Sequence, residues 1–317
     1  MQIWETGAPR VPVFFQPKGG KLKALNRRPL GKLIAIFILP GMVLFAFSIV
    51  VPTLVAVWYS LNNWQSLTRP QWIGLANFKD LLGDALFWSS LWNNLKLALY
   101  TLIGQVGIGY LMAFLLTSRL VTSRDFLRTV MFFPVLISTV VLSFLWTLVY
   151  SNDYGMLNVV LRAVGLGASA NAWLSDPHLV VEALAVPLIW QWFGFYMVIF
   201  MGAIGTIPKE ILESAEMDGA VGFKKAFFIS IPLTYDAVVV AVLLCLSGIM
   251  KMFDTVLVMT DGGPGNSSMV LALYAYRVSF RNLQLGYGNT IAVGIVVVSL
   301  AITFLARTLL GGKRYAR

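Results

Sequence analysis

Six long apolar stretches divide this 317-residue chain, and each can form a helix that crosses a lipid bilayer. A hydrocarbon core of about 30 Å takes about 20 helical residues. The stretches cover residues 33–61, 95–116, 129–150, 179–204, 238–259 and 290–310. Charged residues make up only 12% of the chain, against about 25% in soluble domains. The sequence therefore predicts an all-α polytopic membrane protein with six transmembrane helices.

The stretches and the segments between them define four regions. The first stretch follows a long tail, is too long for the apolar part of a signal peptide and precedes no small-residue cleavage site, so we expect it to be retained. The predicted regions are a basic tail (1–32), a first transmembrane helix with its outer loop (33–94), a core (95–311) and a short C-terminal tail (312–317).

Lysine and arginine are distributed unevenly between the two sides. Seventeen lie in the two tails and in the segments after the second and fourth stretches, whereas five lie in the other connecting segments. Cytoplasmic loops carry the excess of positive charge. Both termini, and the segment around residues 207–232, are therefore expected in the cytoplasm.

Several other functions find little support in the sequence. The net charge of +10 comes from loops and tails beside apolar stretches rather than from one folded surface, which argues against nucleic-acid binding. Cys245 lies in an apolar run and His178 is the only histidine, so we predict no metal site and no catalytic residues. No Gly-Lys-Ser/Thr phosphate-binding loop is present, so this chain is not expected to bind ATP.

The segment 207–232 has the pattern of two short helices joined by a turn. Pro208 and Glu210 suit a helix start, and Gly219 suits its end. A second amphipathic helix, 222–231, presents three phenylalanines before Pro232. On spacing alone, an ordinary solvated connection remains as good an explanation as a docking surface.

This segment resembles the coupling loop of the permease subunits of ABC importers. The matching residues are Glu213, Ala215, Asp218, Gly219 and Ala220, followed by Ile229 and Pro232. Ser214 replaces the family's usual alanine. The resemblance implies that Glu213, Ala215, Asp218 and Gly219 dock into an ATP-binding subunit. It also implies the type I importer fold, with an additional first helix before a five-helix core.

A second set of residues is similar to permeases that import carbohydrates, of the maltose and glycerol-phosphate type. The longest match is 253–266, which includes Gly262, Gly263 and Pro264 in an outer loop suited to a delivery protein. Shorter matches are Ile73-Gly74-Leu75, Asn77-Phe78, Phe133-Pro134, Ser138, Trp146, Gly155, Asn158, Trp192, Gly194, Met197, Leu273 and Tyr276-Arg277.

Polar and aromatic residues inside the spans are candidates for a sugar passage. They are Trp190, Gln191, Tyr196, Ser247, Lys251 and Asp254. Packing or interhelical hydrogen bonding would also explain them. A lysine near the middle of a span is costly, by ~2.5 to 3.5 kcal/mol on insertion scales. Lys251 is therefore expected either to pair with Asp254 or to line the passage and meet sugar hydroxyls or the carboxylate of a uronate.

The resemblance implies a complete importer in the bacterial inner membrane. The implied partners are a second, related permease, two subunits that bind ATP and Mg, an extracytoplasmic sugar-binding protein and a saccharide, surrounded by the lipid bilayer. The main alternative is a secondary transporter driven by an ion gradient. Such carriers use embedded carboxylates and inverted repeats, whereas Asp254 is the only acidic residue deep in a predicted span and no repeat is visible. A membrane scaffold for a soluble partner is a weaker alternative.

Overall fold

The computed structural model describes residues 30–66, 69–118 and 121–311, and this part of the chain is almost entirely helical. Contacts divide the chain into two units, residues 1–53 and 54–317. In the first unit, a helix begins at Leu30, and its side chains from Ile36 to Thr53 are all exposed. An apolar helix with no buried side chain is suited to a lipid environment.

The first helix, α1, covers residues 30–60 and contains a π-helical segment, Ala46–Val50. Two short strands follow and pair antiparallel, with Asn62 opposite Trp72. The other helices are α2 (Ala76–Leu82), α3 (Ala85–Thr117), α4 (Arg124–Leu136), α5 (Thr139–Val149), α6 (Met156–Ala163), α7 (Val180–Gly205), α8 (Lys209–Met217), α9 (Phe223–Leu233), α10 (Tyr235–Met250), α11 (Asp254–Met259), α12 (271–281) and α13 (Leu285–Gly311). The strands are β1 (Asn62–Asn63) and β2 (Gln71–Trp72), and a 3-10 turn covers Gly167–Ser169.

Four helices of the described part are long and apolar enough to cross a membrane, namely Ile36–Ser60 within α1, then α3, α7 and α13. Two further crossings are formed if each bent pair counts as one: α4 with α5, bent by 97°, and α9 with α10, bent by 81°. The first, fourth and sixth predicted spans agree with the structure to within a few residues. The predicted count of six holds only with the two bent pairs included.

The second predicted span begins about ten residues too late. The helix α3 begins at Ala85, where Asp84 accepts hydrogen bonds from the amides of Leu86 and Phe87. Its first three turns contain Asn93 and Asn94, which lower the hydropathy although both are buried in the protein. The predicted boundary at 94/95 therefore lies inside a helix.

The third predicted span, 129–150, is broken rather than continuous. Its helix stops at Leu136, after the 3-10 segment Phe133–Leu136 that contains Pro134, and a new helix starts at Thr139. Pro134 cannot donate to a helical ladder. Before the break, the backbone of α4 packs closely on Gly194 of α7, where a Cβ atom would collide with the carbonyl oxygen of Met131.

The long helix α7 contains Pro187, which has no N–H to donate to the carbonyl of Ala183. The hydroxyl of Tyr150 donates to that carbonyl, at 2.9 Å. An unpaired carbonyl at membrane depth is costly. Tyr150 therefore ties the end of α5 to α7 and compensates for the proline.

Candidate functional site

Residues 207–232 form two helices joined by a tight turn, as predicted. The first helix, α8, ends with two capping hydrogen bonds: the amide of Ala220 donates to the carbonyl of Ala215 at 2.9 Å, and the amide of Gly219 donates to that of Glu216 at 3.1 Å. This is the Schellman arrangement, which needs a left-handed residue after the helix. Gly219 supplies it with φ = +79°.

An ion pair holds the two helices together. The Nζ atom of Lys225 in α9 lies 2.7 Å from Oε1 of Glu216 in α8. The second helix covers Phe223–Leu233 rather than the predicted 222–231, and it contains a π-helical segment, Ala226–Ser230. The turn and the ion pair together fix one geometry for the helix pair, which we define as α8 and α9.

The helix pair exposes a mixed acidic and apolar surface. Glu213, Asp218 and Gly219 are exposed. Two large apolar side chains, Met217 and Phe228, are exposed by 89% and 75%. Exposed apolar patches of this kind mark interaction sites. Phe228 is one of the three phenylalanines noted in the sequence, whereas no pattern pointed to Met217. The sequence signal that could have indicated the exposure of Met217 is its position as the last residue of α8.

Ala215 differs from Glu213, Asp218 and Gly219, the other three residues for which the resemblance implies docking. Its side chain is only 7% exposed and faces the chain's own core. The Ala215 side chain is therefore not accessible for a docking contact in this structure. A small residue here lets α8 pack closely against the chain, which orients the exposed residues on the opposite face.

Lys251 does not lie in the middle of a span, and that prediction is wrong. The helix α10 ends at Met250, and α11 begins at Asp254, so Lys251 is an exposed residue at a break. A lysine at a helix C-terminus and an aspartate at a helix N-terminus both complement the helix dipoles. Within the described residues, no ion pair joins Lys251 to Asp254, and the charges are explained by the helix ends instead.

Gln191 is buried, with 1% exposure, and connects α7 to the break between α4 and α5. Its Nε2 atom donates to the carbonyl of Ile137 at 3.1 Å and to Oγ1 of Thr139 at 3.2 Å. The amide thus pairs the backbone carbonyl of Ile137, which lies in the break between the two helices, and also contacts the Thr139 hydroxyl. Gln191 therefore has an evident structural role at the position where we predicted a passage residue.

The other candidate passage residues have different environments. Trp190 is partly exposed and packs edge-on against Trp146, with ring centroids 6.1 Å apart. Tyr196 is buried in an apolar cluster with Met197 and Phe200. Ser247 is half-buried. Of the aromatic candidates, only Trp190 presents an accessible face in this conformation.

The predicted outer loop is held by two arginines of α12. The carboxylate of Asp261 lies 2.7 Å from Nη1 of Arg281 and 3.4 Å from Nη2 of Arg277, which also donates to the carbonyl of Asp261. The hydrogen bond from Arg281 and the charges of both arginines hold the pKa of Asp261 below its ordinary value of 3.8.

The turn at Gly262, Gly263 and Pro264 is present, and it is ordered by local hydrogen bonds. The amide of Gly263 donates to the carbonyl of Thr260 at 2.9 Å, and Oγ of Ser268 donates to the carbonyl of Gly263 at 2.6 Å. The Gly263–Pro264 peptide bond is cis. The two hydrogen bonds, from Gly263 and from Ser268, give the loop a defined turn geometry.

Three further polar residues join distant parts of the fold, and no sequence pattern pointed to them. Asp84 accepts hydrogen bonds from the hydroxyls of Tyr274 and Tyr287, at 2.5 and 2.6 Å. Asn93 donates to the carbonyls of Ser267 and Met269, and Asn94 donates to that of Ile249. These contacts join residues more than 150 positions apart, which no local pattern can predict.

Comparison with known proteins identifies the family. Residues 105–311 match the family described as "Binding-protein-dependent transport system inner membrane component". The chain is 33% identical to the "Probable ABC transporter permease protein YurN" of Bacillus subtilis, over 85% of this chain and 93% of that protein. It is 29% identical to the "Probable starch degradation products transport system permease protein AmyD" of Thermoanaerobacterium thermosulfurigenes, over 88% and 94%. The chain belongs to this family of ABC transporter permeases.

Other relatives are named for the transport of arabinooligosaccharides, lactose and diacetylchitobiose. Among solved structures, the fold is similar to a chain of "a bacterial ABC transporter involved in the import of the acidic polysaccharide alginate". The TM-score is 0.77 at 22% identity, over 91% of this chain and 97% of that one. The predicted all-α importer-permease fold is confirmed, and the protein is a transport subunit of the membrane.

Proposed function

We propose that this chain passes a saccharide across the bacterial inner membrane as one permease of an importer driven by ATP hydrolysis in partner subunits. The observation that carries the proposal is the exposed helix pair. A pair fixed by the Gly219 turn and the Glu216–Lys225 ion pair can transmit a push as a rigid body, and its exposed Met217 and Phe228 offer apolar anchors for a partner.

The partners follow from what the chain contains. Its sequence holds no phosphate-binding loop, so two ATP-binding subunits that hold ATP and Mg supply the energy. Glu213, Asp218 and Gly219 would meet the ATP-binding subunit, with Ala215 setting the packing beneath them. A second, related permease completes the passage, and an extracytoplasmic binding protein delivers the saccharide near Gly262, Gly263 and Pro264.

The charge distribution supports the orientation. Seventeen lysines and arginines lie in segments assigned to the cytoplasm and five in those assigned outside. We therefore propose that both termini and the helix pair lie in the cytoplasm, on the side of the ATP-binding subunits, and that the loop at Asp261 lies outside, on the side of the binding protein.

The substrate class rests on the relatives, whose names refer to starch degradation products, arabinooligosaccharides, lactose and diacetylchitobiose. An oligosaccharide is their shared chemistry. The half-exposed Trp190 and the exposed Lys251 and Asp254 are the candidate contacts along the passage, with Ser247 beside them. Gln191 and Tyr196 are buried behind these contacts and support the walls of the passage.

Reconstitution in proteoliposomes tests this function. Radiolabelled maltotriose, arabinotriose, lactose and diacetylchitobiose would be offered to the chain reconstituted with its second permease, ATP-binding subunits and binding protein. We expect uptake of one of these saccharides to require both ATP and the binding protein, and to persist when ionophores collapse proton and sodium gradients. Uptake that follows an ion gradient without ATP would show a secondary transporter instead.

A further inference from the structure

An open cavity of about 500 Å³ lies where three segments meet on the proposed outer side. The segments are the end of α5 with residues 150–154, the segment 172–175, and the end of α11 with the turn at Gly263 and Pro264. Ligand sites commonly have volumes of about 300 to 1,000 Å³ and are formed between elements. The cavity is separate from the candidate passage residues: none of them lines it.

The walls of the cavity offer hydrogen-bonding groups that are not used elsewhere. Within the described part of the chain, the side chains of Ser151, Asn152 and Ser175 make no hydrogen bond. By contrast, the hydroxyl of Tyr150 donates to the carbonyl of Ala183, and the hydroxyl of Thr260 donates to the carbonyl of Val256. Three free polar groups on opposite walls suit a ligand with several hydroxyls.

Apolar surface lies beside these groups. Tyr154 is exposed and lines the cavity, and Pro264 and Leu174 contribute to its walls. A sugar ring has apolar C–H surfaces together with hydroxyls at its rim. The combination of an aromatic side chain with a few placed polar groups is what a small-molecule site requires.

Among the residues that the structure describes, no charged side chain lines the cavity. Three acidic residues adjoin lining residues in the sequence without lining the cavity themselves, namely Asp153, Asp176 and Asp261. Asp261 is already paired with Arg277 and Arg281. A ligand carboxylate would therefore lose hydration without gaining a cationic partner among the lining residues. These features disfavour a uronate and favour an uncharged ring.

We infer that this cavity is a subsite for a neutral saccharide unit at the outer face of the permease, between the delivery loop and the passage. The inference rests on the proposed function, because the saccharide class comes from it. It adds a position and a charge preference that the relatives do not define. Ser151, Asn152 and Ser175 would bind hydroxyls, and Tyr154 would cover a ring face.

Cysteine protection tests the subsite in the reconstituted complex. Ser151→Cys and Ser175→Cys would be labelled with a membrane-impermeant maleimide, with Ser169→Cys, exposed and outside the cavity, as the matched control. The only native cysteine, Cys245, is buried, so the unmodified chain gives the background. The probes are maltotriose, arabinotriose, lactose, diacetylchitobiose and an alginate trisaccharide, with polyethylene glycol as an osmotic control.

We expect the transported neutral saccharide to slow labelling at both cavity positions about tenfold when present at about ten times its Kd, and to leave Ser169→Cys unchanged. Equal protection by the alginate trisaccharide, or by polyethylene glycol, would overturn the inference. Protection by the binding protein without sugar would make the cavity a protein-docking surface and would also overturn it. Normal ATP-driven uptake without any protection would refute the subsite alone, whereas uptake independent of ATP would refute the proposed function.

Discussion

Asp261 and Arg281 form an ion pair that joins the turn at Gly262, Gly263 and Pro264 to α12, with Oδ2 and Nη1 2.7 Å apart. Both side chains are 44% exposed, and exposed pairs contribute little to stability. We therefore expect Arg281→Gln to leave membrane levels unchanged but to lower binding-protein-dependent uptake by less than about fivefold, because the turn loses one of its two anchors. Arg162→Gln, in α6, is the control. Equal losses in both variants would remove the anchoring role.

Asp84 provides a prediction on pH. Burial acts to raise its pKa, but hydrogen bonds from Tyr274, Tyr287 and two backbone amides outweigh burial and hold the pKa below 3.8. A carboxylate with a depressed pKa stabilises the fold at pH above its ordinary pKa, and this stability is lost as the pH falls through the depressed value. The ionised side chain therefore stabilises the fold throughout the neutral range.

We expect the thermal unfolding midpoint in detergent to be higher for the natural chain than for Asp84→Asn. This difference should stay constant from pH 7 to about pH 4 and shrink only below that. Asp153→Asn, an exposed substitution, should show no such difference. A difference in unfolding midpoint that disappears already between pH 6 and pH 5 would contradict the assigned hydrogen bonds.

Gln191 should be needed for the break between α4 and α5. A leucine of similar size cannot donate to the carbonyl of Ile137, and leaving a buried acceptor unpaired costs about 1 to 3 kcal/mol. We expect Gln191→Leu to lower the unfolding midpoint, and Gln191→Glu to lower it further because a buried carboxylate also lacks a donor. Trp190→Phe, one position away, should change it little. Wild-type midpoints in both Gln191 variants would show that the break needs no such support.

Lys251 tests the candidate passage. If its ammonium group meets saccharide hydroxyls, Lys251→Met removes a charged hydrogen bond, and we expect a loss in uptake of about tenfold or more. Lys251→Arg should retain most of the uptake. Neutral and acidic saccharides would be compared in the same liposomes, and unchanged transport of both by Lys251→Met would exclude Lys251 from the passage.

Continuous apolar helices were predictable from the sequence, both the mostly exposed α13 and the half-buried α7, whereas segments with buried polar residues were not. Apolar runs marked α7 and α13 to within a few residues. The start of α3 was missed because a hydropathy profile assigns polar residues such as Asn93 and Asn94 to a loop. Both are buried by other segments of the same chain. Burial of polar groups inside a membrane protein depends on contacts that only the folded chain supplies.

The same distinction applies to the site. The Gly219 turn was predictable because a helix end with a left-handed glycine is a local feature. Lys251 was placed wrongly because an apolar run does not reveal a break, and the two helix dipoles that favour Lys251 and Asp254 exist only once the break has formed. The Asp261–Arg281 pair connects residues 20 apart across a turn, a distance at which no helical or strand period applies.

The central claim is that the helix pair transmits ATP-driven motion, and Gly219 tests it with a matched control. Gly219→Pro cannot adopt φ = +79° and loses the amide that donates to Glu216. Gly165 has φ = +82°, and it ends α6 with the same two capping bonds, from Gly165 to Arg162 and from Leu166 to Leu161. The two prolines therefore impose the same backbone defect on opposite sides of the proposed membrane orientation.

The most direct measurement is ATP-driven saccharide uptake into proteoliposomes that contain equal amounts of complex with Gly219→Pro or Gly165→Pro. We expect both variants to insert normally. Gly219→Pro should abolish uptake and ATP hydrolysis stimulated by the loaded binding protein, whereas Gly165→Pro should retain most of both. Uptake by Gly219→Pro at the level of Gly165→Pro would contradict the coupling role of the helix pair.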